Sequence, residues 1–209
     1  MKHLSFLLIF LLGFTILGFA QDGWKLDKAH SSVEFQAEHI VVINAKYNDK
    51  DDYPTVGVTD GKFNEFTVNF TQGEPDLTNS KVETKISVNS IETGSAFRDA
   101  HLRSADFFNA EKYPFITFKS TAFDKIDDTN FVMKGKLTIK GVTKDVSLAV
   151  VLNAITGDDS NYISFTATTI IDRFDYGLRW SDLIENGGFR VSNYINLKIQ
   201  ANFVNDAKS

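Results

Sequence analysis

Along most of this chain, apolar residues fall on every second position. Val33, Phe35 and Ala37 alternate with Glu34, Gln36 and Glu38. Phe66, Val68 and Phe70 form a second row, and Val82, Thr84, Ile86 and Val88 a third. Ile116, Phe118, Ser120 and Ala122 follow Pro114, and Leu137 and Ile139 sit between polar neighbours. Val146 to Leu152, Ile163 to Ile171 and Ile195 to Phe203 complete the set. A period of two marks a strand with one dry and one wet face. Turn residues separate the rows at Gln72 to Asp76, Asp127 to Asn130, Lys140 to Thr143 and Thr156 to Asp159. The pattern predicts an all-β fold of about eight antiparallel strands. It suits a closed barrel, which removes exposed edges, and equally a two-sheet sandwich.

Two stretches break the period. From Ser95 to Asn109 the spacing of Ala96, Phe97, Ala100, Leu102 and Phe107 favours a short helix that crosses one end of the sheet and stops before Tyr113-Pro114. From Asn44 to Asp60 the polar run around Asn48 to Pro54 reads as a solvated loop. Its aspartates invite calcium, but the glycine and terminal glutamate of a calcium loop are missing at the right offsets.

The first residues read as an address. Lys2 and His3 precede an almost wholly apolar run from Leu4 to Phe19, and Gly18 and Ala20 are spaced for signal peptidase. Residues 1–20 are therefore predicted to be a cleaved signal peptide, and residues 21–209 a single exported domain. The run is short for a membrane span, and no later stretch is long enough for one. With Cys 0 the domain uses no disulfide and carries no lipidated cysteine. Losing Lys2 leaves 21 basic residues against 27 acidic, near -6 instead of -5. That balance argues against nucleic acid and against an anionic membrane face. The chain holds Phe 19 against Trp 2 and Tyr 6, and only Phe6, Phe10, Phe14 and Phe19 leave with the leader. The surplus is either a packed core or the lining of an apolar cavity.

Catalytic signatures are scarce. There is no cysteine nucleophile, no Gly-x-Ser-x-Gly elbow and no His-Glu-x-x-His helix. His30, His39 and His101 would form a metal site only if all three converged. Arg173, at the end of an apolar strand between Asp172 and Asp175, either closes a barrel end by ion pairing or forks onto a ligand headgroup.

The motifs together resemble the YceI-like family. The resemblance is carried by Asp27-Lys28-Ala29-His30-Ser31-Ser32-Val33-Glu34-Phe35, Gly61-Lys62-Phe63, Ser90 to Gly94 and Arg98-Asp99-Ala100-His101-Leu102. It continues through Asp106-Phe107-Phe108, Tyr113 to Ser120, Gly135 to Lys144 and Asp172-Arg173-Phe174-Asp175-Tyr176-Gly177. It implies a lipocalin-like barrel in the periplasm whose elongated apolar cavity binds a polyisoprenoid or similar long-chain lipid, without catalysis or cofactor. By inward-facing parity the tail would lie along Phe35, Ala37, Phe118, Phe165 and Leu197. His39, Ser120 and Arg173 would meet its polar end. No nucleic acid and no stable membrane insertion are expected, and a homodimer is compatible with the pattern. A packed-barrel envelope stress protein and a metal-dependent envelope enzyme are the alternatives. Two departures stand out: the long Asn44 to Asp60 link, and Asp172 where the family pattern has Asn.

Overall fold

The protein is described here by a computed structural model that covers residues 23–41, 55–73, 76–156, 161–179 and 189–205. The expected signal peptide and the expected Asn48 to Pro54 loop, with its aspartates, lie outside these residues. Among these residues eleven strands form one strongly curled antiparallel sheet. In chain order they are β1 (Trp24–Leu26), β2 (Ser32–Val41), β3 (Thr55–Phe63), β4 (Phe66–Thr71), β5 (Lys81–Ser87) and β6 (Ile91–Glu92). The one α-helix among the described residues, α1 (Ala96–Arg103), leads into β7 (Phe115–Lys125), β8 (Asn130–Ile139), β9 (Val142–Thr156), β10 (Tyr162–Asp172) and β11 (Phe189–Asn205). Neighbours run β4-β5-β7-β8-β9-β10-β11-β2-β3-β6, with β1 paired to β11. Trp24 on β1 closes the curl, because it packs edge-on against Phe70 of β4 at 6.2 Å and its Nε1 donates to Gln72 at 3.0 Å.

The antiparallel all-β fold is thus as the alternation predicts and the barrel as the resemblance implies, but with eleven strands among the described residues and not about eight. β1 and β6 are too short to show a period. β3 reaches back into the stretch that the sequence marks as irregular. There the usual sign is reversed: Val56 and Val58 point outward and are about half exposed, at 50% and 47%, while Gly57, Thr59 and Gly61 alternate with them on the other side. A strand whose inner face is small and polar gives no hydrophobic period.

α1 forms where the sequence places a helix. The Ser95 side chain caps it by accepting the Arg98 amide, and its end is fixed where the Ser104 amide bonds the His101 carbonyl. Buried Asp99 ties the helix to the sheet, since its Oδ1 accepts from the Thr93 amide at 2.9 Å and the Thr93 hydroxyl at 2.6 Å. The β8–β9 turn is set by Lys140 and Gly141, both at positive φ (48° and 77°), the pattern that matches the twist of a two-residue hairpin.

The inner faces meet in one core. Trp24, Phe70, Phe165 and Phe203 pack with Phe123 and Phe131 in a chain of ring contacts 5.0 to 6.2 Å apart. These rings come from β1, the ends of β4, β7 and β11, and the starts of β8 and β10. They plug one pole of the barrel.

Candidate ligand-binding cavity

Above the aromatic plug the barrel is hollow. A cavity of about 260 Å3 runs through the lumen, and its wall is almost wholly apolar. The wall residues are the alternate positions of the strands: Phe35 and Ala37 of β2, Phe118 of β7, Leu148 of β9, Phe165 of β10 and Leu197 of β11 among them. Two rings owe their position to glycines. An added Cβ at Gly61 would lie 2.2 Å from Phe35, and one at Gly135 would lie 2.4 Å from Phe118. Each phenylalanine therefore lies over a bare stretch of neighbouring strand and leaves the lumen open.

The polar lining groups include His39 of β2, Thr59 of β3, Thr93 before α1, Arg98 and His101 of α1 and Arg173 after β10, besides Glu34, Thr84 and Thr169 along the strands. Arg98 is held by three oxygens. Its Nε donates to the Thr93 hydroxyl at 2.7 Å, one Nη donates to the Thr93 carbonyl at 2.9 Å, and the other reaches the Thr59 hydroxyl at 3.5 Å. Since Thr93 also donates to Asp99, the guanidinium and the buried carboxylate share one hydroxyl.

Arg173 is only 2% exposed. Its guanidinium donates to the carbonyls of Ser192, Leu178 and Val191 and stands 4.7 Å from the Phe174 ring and 5.9 Å from Phe107. These bonds fasten the turn after β10 to the start of β11. Asp172 caps the same turn, accepting the Phe174 amide at 2.8 Å and the Asn193 amide group at 2.8 Å. Its carboxylate is engaged in the turn. Tyr176, in this turn, is buried, and that burial together with the Asp175 charge pushes its phenol up to about 12.

Of the residues singled out by parity, Phe35, Ala37, His39, Phe118, Phe165, Arg173 and Leu197 all line the cavity. Ser120 does not. A bulge between Ser120 and Ala122 reverses the alternation, so that Phe123 faces inward in place of Ala122. The Ser120 hydroxyl instead accepts the Val82 amide at 2.8 Å, where the β5–β7 ladder ends. His30 sits on an exposed turn and bonds Asp27 at 2.7 Å, away from the wall that holds His39 and His101. The three histidines do not converge, and among the described residues no group of three or more His, Cys, Asp or Glu gathers as a metal site would require. Thr59, Thr93, Arg98 and His101 were not assigned to the site from sequence. The usable signal was the spacing of Arg98 and His101, three apart on a helix and so on neighbouring positions of one face.

A curled antiparallel barrel with a greasy lumen and a few polar groups on its wall defines a protein of the lipocalin-like class. The chain belongs to the YceI-like family: the YceI-like domain matches residues 24–203. The UPF0312 protein SA2479 of Staphylococcus aureus is 30% identical over 183 residues, covering 86% of this chain and 96% of its own. Among solved structures, BcnA of Burkholderia cenocepacia superposes with a TM-score of 0.67 at 21% identity, over 85% of this chain and 99% of BcnA. A domain from Saccharophagus degradans, described as polyisoprenoid-binding and implicated in plant cell wall breakdown, gives a TM-score of 0.59 at 12% identity, over 88% and 98%. Both structures share the fold.

Proposed function

We propose that this protein is a non-enzymatic binding or carrier protein for a long-chain amphiphilic lipid of the polyisoprenoid or prenyl-quinone kind, exported to the periplasm by its leader. The observation that carries this reading is the lumen itself, a hollow in the core lined by alternate apolar residues of the strands. Native cores are normally close-packed, and a void this size forgoes dispersion contacts unless something fills it. A linear isoprenoid is apolar along its length, and its burial contributes about 25 cal/mol per Å2 of apolar surface. The polyisoprenoid-binding neighbour of the same fold supports the choice of tail.

Filling the lumen tests the assignment without burying a charge. Ala37 is buried and lines the cavity. Ala37→Phe is expected to give a folded barrel, by circular dichroism and thermal melting, that no longer takes up a detergent-dispersed polyprenyl probe. Undiminished uptake by the folded variant would remove the ligand from this lumen. The leader is tested separately: N-terminal sequencing of exported protein should begin at Gln21.

A further inference from the structure

The chain is acidic as a whole, with net charge -5, yet its positive charge is unevenly compensated. Around the barrel, Lys62, Lys119, Lys125, Lys134 and Lys136 each lie within 4 Å of an Asp or Glu oxygen. Lys28, Lys81, Lys85, Lys112, Lys140, Lys144 and Lys198 show no such carboxylate among the described residues, and four of these lie along one rim of the barrel: Lys85 on the outer face of β5, Lys112 before β7, Lys140 in the β8–β9 turn and Lys144 on the inner side of β9, paired with Leu137. Lys85 stands over the Phe115 ring at 3.8 Å, and Lys112 lies 5.2 Å from the Tyr113 ring. Tyr113 in turn sits against Gly141, where an added Cβ would meet its ring at 2.7 Å. Lys140 and Lys144 flank that glycine on the β8–β9 hairpin.

The hairpin tip also projects. β8 pairs with β9 along Val142 to Val151, but β10 pairs with β9 only from Ala149 onward. Val142 to Asp145 are exposed. The patch carries apolar surface as well, since Phe115 is 42% and Val142 36% exposed. It borders the lumen directly: Ile116, next to Phe115, and Ile139, next to Lys140, both line the cavity.

We propose that this patch seats the barrel on an anionic lipid bilayer, with Phe115 and Val142 in the headgroup region and the four lysines against lipid phosphates. Aromatic rings with lysines reaching past them suit the membrane–water boundary. Lysines without carboxylate partners are the ones an anionic surface can use. The whole-chain charge, which argues against such a surface, is overridden locally because charges beyond about 10 Å are largely screened. Placed beside the lumen, the patch gives a buried lipid a route between bilayer and cavity. This inference rests on the carrier reading, and its test is independent of it.

The experiment is flotation of the intact mature protein with vesicles of phosphatidylcholine alone or mixed with phosphatidylglycerol, at low and high salt. Binding is expected only to the mixed vesicles, and salt is expected to weaken it. The double variant Lys140→Glu/Lys144→Glu should lower the affinity for them by roughly fivefold or more for each charge removed. Phe115→Ser should weaken it further. Both variants should still take up a detergent-dispersed polyprenyl probe in solution. Equal binding to the two vesicle types, no binding to either, or unaltered binding by the lysine variant overturns the docking surface. Lost uptake by every form, with vesicle binding intact, overturns the carrier reading instead.

Discussion

At Gly61 and Gly135 the missing side chains matter as much as the rings that cover them. The three atoms nearest to an added Cβ at Gly61 all belong to the Phe35 ring, whereas at Gly135 the Lys119 carbonyl is among them at 2.6 Å. Gly61→Ala is therefore expected to cost about 1–3 kcal/mol in urea unfolding, as overpacking does, and to push the Phe35 ring into the lumen. Adding Phe35→Leu should recover much of that cost. Gly135→Ala should stay impaired even with Phe118→Leu, because backbone cannot yield as a ring does. Arg173 makes a second prediction. Arg173→Ala strips three carbonyls of a charged donor and should destabilise by about 3 kcal/mol or more, since bonds to charged groups are each worth about 1.5–3 kcal/mol. Tyr176 supplies a pH test. Its folded phenol, at about 12, lies above the ordinary 10.0, so the folded state retains a proton that the unfolded state releases. The stabilisation is complete below pH 10 and is lost as pH rises toward 12. Phenolate absorbance should show one late or unfolding-coupled tyrosine, absent in Tyr176→Phe. Parity in the sequence reached the wall residues Phe35, Ala37, Phe165 and Leu197, because the register shifts at Ser164/Phe165 and between Val191 and Ile195 leave them facing inward. It failed at Ala122, because a bulge is a one-residue insertion that no composition signals, and at Ser120, because its hydroxyl is taken by the Val82 amide. The role of Arg173 was equally hidden, since its partners are main-chain carbonyls of a distant segment.

The elements differ in how plainly they announce themselves. β10 and β11 are long, alternate cleanly and pair in register from Tyr162↔Val204 to Asp172↔Tyr194, so hydrophobic period alone locates them. The β8–β9 hairpin is equally legible, because Lys140-Gly141 is turn chemistry between two such rows. β3 is nearly invisible, for its apolar valines face outward and its inward positions are small. The helix was expected from composition, but its anchor was not. Asp99 is buried, and the two bonds it accepts from Thr93 hold α1 against β6 while Thr93 also supports Arg98. Asp99→Ala leaves a buried amide and hydroxyl without their acceptor. It should cost about 1–3 kcal/mol and raise hydrogen exchange across Ala96 to Arg103. Asp99→Asn, which keeps one acceptor oxygen, should recover part of the loss. If exchange in α1 is unchanged in Asp99→Ala, the helix is held by other contacts.

In the molecule as a whole, the two poles divide the work. Six aromatic rings seal one, and the other carries the helix and the turn fastened by Arg173. Such a barrel is stiff where strands pair and open along its axis, which suits one elongated ligand held by apolar contact. The Phe surplus in the composition left a packed core and a lined cavity equally open, since both require inward phenylalanines. Only the placement of Phe35 and Phe118 over glycines, which frees the axis, distinguishes them. The most direct measurement is native mass spectrometry of the purified protein, followed by solvent extraction and lipid mass analysis. The expected result is one co-purifying long-chain prenyl species per barrel, lost in Ala37→Phe. Bare protein that also takes up no added polyprenyl lipid would contradict the carrier function.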